Sequence, residues 1–310
     1  MRLIRSLEYD VLDVFTNIPF SGNPLSIVHI PEDEEDITQA QKQSIAREFN
    51  FSETVFLHHI RDGDILQVPA TTSTSSLKID IFDPSSEIPF AGHPTIGTGW
   101  ILLESCPGRE SISLQTKAGL VPVSRDRQAR KVRLRVPVDF KFHGTYHDPD
   151  IKSSSRLISE DFIRGKEAPE PVASIVKGMS FMLLELAGED ALGRFVPSSR
   201  KFTVGREVLG EWEGFTGLYL YTVLLDGKIR ARMFEGSIED PATGSAASTL
   251  AVYLAMEKGE GRWEFSITQG VEMGRRSEIE VTVEMGKDST ILSVELVGEA
   301  ARVMSGKIYV

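Results

Sequence analysis

The strongest constraint on the fold is a sequence pattern that occurs twice. Residues 82–95 and 234–247 carry Phe, Glu, Pro and Gly at corresponding places, and a shift of 152 positions (234 minus 82) superimposes them. In each copy a strand-like run precedes the pattern, and an uncharged run rich in small residues follows it. A strand, a Glu-containing turn, a Gly and a helix make one supersecondary unit. The duplication therefore predicts two similar halves.

Each copy of the pattern predicts the start of a helix. Gly92 and Gly244 can adopt a backbone conformation with positive φ. His93, Thr243 or Ser245 can cap the helix or donate hydrogen bonds nearby. A helix start carries unpaired N–H groups and the positive end of the helix dipole, so it attracts carboxylates or phosphates. Two such starts predict a shared binding cleft, whereas a repeat kept only for folding is the alternative.

Length and charge narrow the classes of partner. The 310 residues, 41% of them hydrophobic, can build two domains with their own cores. A net charge of −11 provides no broad basic surface, which argues against nucleic acid as a partner. The sequence contains neither a membrane-length apolar stretch nor a signal-peptide core, so no membrane partner is expected. The single Cys106 cannot form an intrachain disulfide, which fits a cytoplasmic location.

The rhythm of the sequence changes near its middle. Residues 130–138 alternate strictly between apolar and polar side chains, as a half-exposed strand does. Residues 139–171 lose this alternation and contain several prolines, which makes them the expected connection between domains. The predicted halves are residues 1–140 and 141–310. The last strand can pack on the N-terminal half.

One histidine pair in the connecting segment has the spacing of a metal site. His143 and His147 would lie on one face of a helix, as metal ligands do. Gly144 and Pro149 interrupt such a helix. We therefore expect no metal.

A carboxylate at the head of an apolar run is a candidate for proton transfer. Glu53 directly precedes the run that includes residues 55–57. Partial desolvation would raise the pKa of this carboxyl toward neutrality, where one group can both donate and accept a proton. Ser52 and Thr54 supply hydroxyls that can orient it. The alternative is an exposed residue at a strand start, or a partner for Arg47.

The second half differs at the corresponding position. Residues 51–57 have a looser counterpart in residues 215–221, where Gly217 takes the place of Glu53. Pseudo-symmetric halves would therefore contribute one proton-transfer carboxylate of this type, not two.

Several motifs together carry a resemblance to a known protein family. They are Asp13-Val-Phe-Thr16 with Phe20-Ser-Gly-Asn-Pro24, Arg47-Glu-Phe-Asn-Phe-Ser-Glu-Thr54, Glu87-Ile-Pro-Phe-Ala-Gly-His-Pro-Thr95, Arg232-Met-Phe234, Glu239-Asp-Pro-Ala-Thr-Gly-Ser-Ala246, and Gln269-Gly270 with Met273-Gly-Arg275. They occur in family order through nearly the whole chain. The chain resembles the PhzF-like family, which is named for an isomerase of phenazine biosynthesis and is related in fold to diaminopimelate epimerase.

The resemblance implies a specific architecture. Its fold class is α+β, with two pseudo-symmetric halves that are each a curved, mostly antiparallel sheet wrapped around a central helix. The helices that begin near Pro94 and Ser245 would be these central helices, and the active site would lie between the halves. The resemblance also implies a homodimer and no cofactor.

The resemblance also assigns site residues. Glu53 matches the proton-shuttling glutamate of the family. The second motif contributes a pair that contacts the ligand, and the third contributes polar site residues. The predicted substrate-binding residues are Gly92, His93, Asp240, Thr243, Gly244 and Ser245.

The epimerase relatives implied by the fold use a different chemistry. They carry two cysteines, one per half, as acid and base. The matching positions here hold Ala91 and Thr243, and Cys106 lies elsewhere. This excludes a two-thiol racemase and leaves chemistry with one carboxylate.

The predicted function follows from these assignments. It is a cofactor-independent isomerase that moves a proton between carbons of a small unsaturated amino or hydroxy carboxylate, with Glu53 as the single general acid and base. The resemblance supports a reaction class without naming a substrate. Two alternatives remain open: a non-catalytic small-molecule binding protein on the same scaffold, and an epimerase that uses a second base such as Asp240.

Overall fold

The computed structural model describes residues 6–31, 37–59, 76–126, 130–198 and 200–310. Its first elements are β1 (Ser6–Val14), β2 (Asn23–Ile30), α1 (Gln39–Phe49), β3 (Thr54–His58), β4 (Ser76–Phe82), β5 (Glu87–Ile88), α2 (Gly92–Ser105), β6 (Ser111–Thr116), β7 (Gly119–Arg125) and β8 (Val132–Arg135). Then follow β9 (Lys141–Tyr146), α3 (Pro149–Ser154), β10 (Glu170–Val176), β11 (Met179–Glu185), α4 (Glu189–Arg194), α5 (Arg206–Leu209), β12 (Phe215–Val223), β13 (Ile229–Glu235) and β14 (Ile238–Asp240). The last elements are α6 (Gly244–Lys258), β15 (Gly261–Gln269), β16 (Ser277–Met285), β17 (Ile291–Gly298) and β18 (Ala300–Tyr309).

The described chain forms two compact units. The first comprises the described parts of Met1–Arg135 together with Val297–Val310, and the second comprises Val136–Leu296. Residues 139–171, the expected connection, lie in the second unit and form β9, α3 and the start of β10. A proline there begins a helix, because Asp148 caps α3 and Pro149 occupies its first turn.

The two units pair their strands in the same order. In the first unit β1–β2 is antiparallel, β2–β3 parallel, β3–β4 and β4–β5 antiparallel, β4–β6 parallel and β6–β7 antiparallel. In the second unit β10 to β16 repeat these pairings in the same sequence. A further antiparallel strand lies beside the first strand of each set, β18 on β1 and β9 on β10. The duplication seen in the sequence therefore extends to the sheet topology.

The two long helices are surrounded by strands of their own units. Twelve of the fourteen residues of α2 are buried, and the helix packs against β1, β2, β3, β6, β7, β8 and β18. Nine of the fifteen residues of α6 are buried, and this helix packs against β10, β11, β15 and β16. A helix that is apolar on all sides needs such an enclosure. The prediction of an α+β fold with sheets wrapped around central helices is confirmed.

Glycines allow α2 to lie directly on its sheet. A Cβ atom at Gly97 would lie 2.6 Å from a Leu25 methyl and 2.9 Å from a Val14 methyl. A Cβ at Gly99 would lie 2.6 Å from Val123. These distances are shorter than van der Waals contact, so the packing of α2 on β1, β2 and β7 depends on missing side chains.

Across the described residues we find no helix with the length and apolarity needed to cross a membrane.

Candidate active site

Glu53 lies in the short link between α1 and β3. Thr38 caps the start of α1, because its hydroxyl accepts a hydrogen bond from the Gln41 N–H at 3.2 Å. Asn50 ends the helix in the left-handed conformation, with φ of 53°. β3 begins at Thr54 and pairs in parallel with β2. A helix end and a strand start therefore bracket Glu53 closely and limit the freedom of its backbone.

Both chain neighbours of Glu53 are tied to β2. The Ser52 hydroxyl lies 3.4 Å from Oδ1 of Asn23. The Thr54 hydroxyl lies 2.8 Å from the Ser26 hydroxyl, and both of these residues are fully buried. These contacts hold the backbone on either side of Glu53 against the first residues of β2. The sequence predicts that these two hydroxyls help to orient Glu53, and the structure adds their partners on β2.

His93 brings an imidazole ring next to Glu53. It is the second residue of α2, and its Nε2 lies 3.4 Å from Oε2 of Glu53. His93 is buried, whereas 19% of the Glu53 side chain is exposed. Burial lowers the pKa of His93 to about 3, so its ring is uncharged at neutral pH. The contact therefore joins a carboxyl group to a neutral imidazole.

The two central helices begin at the repeated glycines, although not in the way the sequence predicts. Gly92 and Gly244 are the first residues of α2 and α6, and both have helical backbone angles. Neither glycine uses the positive φ that its lack of a side chain allows. Ala91 and Thr243 occupy the N-cap positions, and among the described residues neither helix has a side-chain cap. Of the two roles that the sequence allows, Thr243 therefore donates a hydrogen bond nearby instead of capping the helix, and the helix starts keep their capacity to attract an anion.

The Thr243 hydroxyl belongs instead to a buried cluster in the second unit. It donates to Oδ2 of Asp240 at 2.5 Å. Nε2 of Gln269 donates to the Asp240 carbonyl oxygen at 2.8 Å and to the Thr243 hydroxyl at 3.0 Å. Oε1 of Gln269 accepts from the Thr243 N–H at 3.3 Å and from the Tyr219 hydroxyl at 3.2 Å. Burial, and then the Asp240 charge, raises the pKa of Tyr219, which keeps its hydroxyl protonated.

A buried arginine anchors the turn before α6. The Arg232 guanidinium makes two hydrogen bonds of 2.8 Å to the two carboxylate oxygens of Glu239. It also donates to the carbonyl oxygens of Leu192 and Phe195, at 2.7 and 3.1 Å. Paired, planar hydrogen bonds of this kind fix orientation as well as distance. Arg232 thereby ties the residue before Asp240 to the end of α4.

The units differ where Glu53 has its counterpart. Thr54 and Leu218 pair with the two copies of the repeated Phe, so the residues before them, Glu53 and Gly217, correspond. A Cβ at Gly217 would lie 2.9 Å from the Phe181 ring. The second unit therefore has no space for an acid at this position without rearrangement.

The structure places the predicted site residues in two groups. The first unit brings Glu53, Gly92 and His93 together at the start of α2. The second unit contains Asp240, Thr243, Gly244 and Ser245 at the start of α6. Sequence reasoning missed Gln269 and Tyr219 as members of the second group. A polar Gln directly before a Gly at the end of an apolar strand was the available signal.

A comparison with known families decides where the chain belongs. The family model of phenazine biosynthesis-like proteins, PhzC-PhzF, matches residues 12–306. The chain belongs to this family. A relative from Pseudomonas aeruginosa, trans-2,3-dihydro-3-hydroxyanthranilate isomerase, is 30% identical over 313 residues, which cover 97% of this chain and 99% of the relative.

Solved structures of the family and of racemases share the fold. The crystal structure of a PhzF-family phenazine biosynthesis protein from Bacillus anthracis matches with a TM-score of 0.78 and 24% identity, over 99% of this chain and 100% of that one. A probable proline racemase from Agrobacterium radiobacter matches with a TM-score of 0.61 and 15% identity, over 97% and 92% of the two chains. The PhzF-like resemblance is confirmed, and the chain is an isomerase of this family.

Proposed function

We propose that this PhzF-family isomerase moves a proton between two carbons of a small unsaturated amino or hydroxy carboxylate, without a cofactor and with Glu53 as its single general acid and base. The contact between Glu53 and His93 carries the proposal. A cationic partner at this distance would favour the ionised carboxylate and oppose proton donation. A neutral His93 adds no positive charge that would oppose proton donation, so Glu53 can hold the proton in one step and release it in another.

The proposed reaction is balanced by one proton. The Glu53 carboxylate removes a proton from one carbon, and the electrons of that C–H bond enter the conjugated system of the substrate. The glutamic acid then delivers the proton to a second carbon, the double bond shifts, and the carboxylate is restored. A positioned group of this kind contributes about 10²–10⁴ in rate. Orientation of the substrate supplies a further share.

The relatives and the second group of residues support the substrate class. The Pseudomonas aeruginosa relative is named for a ring compound that carries a carboxylate, an amino group and a hydroxyl. We propose that Asp240 accepts a hydrogen bond from such an amino or hydroxyl group. The helix starts at Gly92, Gly244 and Ser245 would bind the carboxylate. That both groups of residues contact one substrate molecule stays a prediction from the resemblance.

Deuterium incorporation tests the role of Glu53. Wild type and Glu53→Gln are incubated in D₂O with trans-2,3-dihydro-3-hydroxyanthranilate and a panel of unsaturated amino and hydroxy acids, and mass shifts are read. We expect wild type to label one of these compounds, and Glu53→Gln to do so at least about 100-fold more slowly.

A matched control separates chemistry from folding. Glu104 lies near the other end of α2 and pairs with Arg125 and Arg130. Glu104→Gln should retain the wild-type rate of labelling. Equal labelling by Glu53→Gln and wild type would show that Glu53 is not the acid and base.

The same experiment distinguishes the two alternatives. A binding protein would retain a compound tightly and leave it unlabelled in every variant. An epimerase with a second base would label and invert a single carbon, and Asp240→Asn would abolish the inversion. Proton transfer between two carbons would instead place the label on a different carbon from the one that loses its proton.

Homodimerisation and independence from a cofactor are proposed on the same basis. Both are implied by the resemblance to the family. The cytoplasmic location expected from the sequence likewise stays a prediction.

A further inference from the structure

Gln269 is the last residue of β15, and its buried side chain reaches the turn that carries Asp240. We propose that Gln269 is a positioning residue that holds the Thr243 hydroxyl in the place from which it donates to Asp240. This inference rests on the proposed role of Asp240 in substrate binding. Gln269 belongs to a motif of the sequence that the proton-transfer chemistry leaves without a role.

The neighbours of Gln269 dictate how its amide is oriented. The backbone N–H of Thr243 can only donate, and the carbonyl oxygen of Asp240 can only accept. Oε1 therefore faces the Thr243 N–H at 3.3 Å, and Nε2 faces the Asp240 carbonyl at 2.8 Å. A rotated amide would set donor against donor at one contact and acceptor against acceptor at the other. The hydrogen-bonding pattern thus allows a single orientation.

This orientation places a donor against the Thr243 hydroxyl oxygen, while the Asp240 carboxylate, which can only accept, takes the hydrogen of that hydroxyl. The second hydrogen on Nε2 of Gln269 points to the Thr243 hydroxyl oxygen at 3.0 Å. The hydroxyl is therefore the acceptor in that contact, and its hydrogen goes to Oδ2 of Asp240 at 2.5 Å. These two hydrogen bonds form a relay from Gln269 through Thr243 to Asp240, and this relay fixes the rotation of the Asp240 carboxylate. The Tyr219 hydroxyl completes the set by donating to Oε1.

The residue after Gln269 adds a backbone constraint on the same turn. Gly270 has φ of 74°, and a Cβ there would lie 2.6 Å from the Pro241 carbonyl oxygen. The Gln-Gly pair therefore packs directly against the segment between Asp240 and Thr243. Side chain and backbone together hold the polar groups that the start of α6 presents.

Side-chain NMR tests the contact between the Gln269 amide and the Thr243 hydroxyl without any substrate. Protein labelled with ¹⁵N at glutamine side chains is compared with Gln269→Met, which assigns the signals. We expect both Gln269 amide protons to exchange with solvent at least about 100-fold more slowly than those of an exposed glutamine. In Thr243→Val one of the two should shift and exchange faster, whereas Thr243→Ser should keep the wild-type pattern. Unchanged signals in Thr243→Val would overturn the proposal.

Kinetics test whether the relay acts through Asp240. With trans-2,3-dihydro-3-hydroxyanthranilate, Gln269→Met should raise KM by up to about tenfold while kcat falls less, since the Thr243 hydroxyl that donates to Asp240 loses the hydrogen bond that holds it. Gln269→Glu has the same size but lacks the Nε2 donors, so it should not rescue the effect. Thr243→Ser should rescue the defect of Thr243→Val. Circular dichroism on each variant separates this effect from unfolding.

A double-mutant cycle separates this inference from the proposed function. Gln269→Met should add little in an Asp240→Asn background, because its effect passes through that carboxylate. The same loss in both backgrounds would overturn the positioning role. If wild type converts none of the compounds, the proposed function fails, and the NMR comparison still decides whether Gln269 holds the Thr243 hydroxyl.

Discussion

The buried imidazole of His93 connects the candidate site to the acid stability of the protein. An unfolded histidine has a pKa near 6.5, whereas burial lowers the pKa of folded His93 to about 3. Between these pH values the unfolded state binds the extra proton, so the free energy of unfolding rises with pH. Stability is therefore lost as the pH falls below about 6.5, by about 1.4 kcal/mol per pH unit, and neutral pH carries no such penalty.

We predict that in His93→Asn the free energy of unfolding will depend less steeply on pH below about 6.5 than in wild type. The free energy of unfolding is measured by urea denaturation at pH 7.5, 5.5 and 4.5 for wild type and variant. The exposed His147 provides the control, and His147→Asn should keep the wild-type slope. Equal slopes for His93→Asn and wild type would show that another group titrates in this range.

Arg232 supports the other group of site residues. It is buried and bonded to Glu239 through two contacts, so its removal leaves a mostly buried carboxylate without that partner. We predict that Arg232→Met lowers the free energy of unfolding by about 3–5 kcal/mol. Arg276, which is 60% exposed and pairs with Glu278, is the control, and Arg276→Met should cost less than about 1 kcal/mol. Similar losses for both, measured by urea denaturation, would contradict this account.

At the scale of elements, close packing outweighs helix propensity in α2. Alanine is the better helix former, but a Cβ at Gly97 would meet Leu25 at 2.6 Å. We predict that Gly97→Ala destabilises the protein by about 1–3 kcal/mol. A Cβ at Gly193 in α4 would meet no heavy atom of another described segment within 4 Å, so Gly193→Ala should stabilise the protein by up to about 1 kcal/mol. Thermal denaturation that ranks the two variants in the opposite order would contradict the packing argument.

The same scale explains why the units are alike in topology and different in chemistry. Identical strand pairings place Glu53 and Gly217 at corresponding positions before β3 and within β12. The second position is closed to a side chain by the Phe181 ring. The duplicated framework therefore offers one place for a carboxylate of this kind, which supports the proposal of a single acid and base.

At the scale of the whole molecule, the proposals concern assembly and cofactors. The homodimer predicts a mass of twice 34.3 kDa by light scattering at micromolar concentration. A mass of 34.3 kDa would contradict this proposal.

Independence from a cofactor predicts that dialysis against EDTA, followed by gel filtration, leaves the rate of deuterium labelling unchanged. A rate that falls on dialysis and returns with a metal ion would contradict this proposal.

Several features of this protein follow from local sequence. The repeated pattern predicts two similar halves, and both central helices begin at its glycines. The strand β8 forms within residues 130–138, where apolar and polar residues alternate. These predictions succeed because side-chain periodicity and turn residues act over a few neighbouring positions. Glu53 could also be singled out in this way, since an acidic residue before an apolar run is conspicuous.

Other features arise only when distant segments meet. Gln269 and Asp240 are 29 positions apart, and the register of the sheet brings them into contact. The neutral state of His93 requires burial on all sides, which its neighbours in the sequence do not specify. The Thr243 hydroxyl could have capped α6, but the nearby Asp240 carboxylate accepts its hydrogen. Local patterns are enough to establish the duplicated framework and a candidate acid. The charge state of His93 and the hydrogen-bond partners of Thr243 depend on folding, because desolvation and pairing involve groups that are distant in the chain.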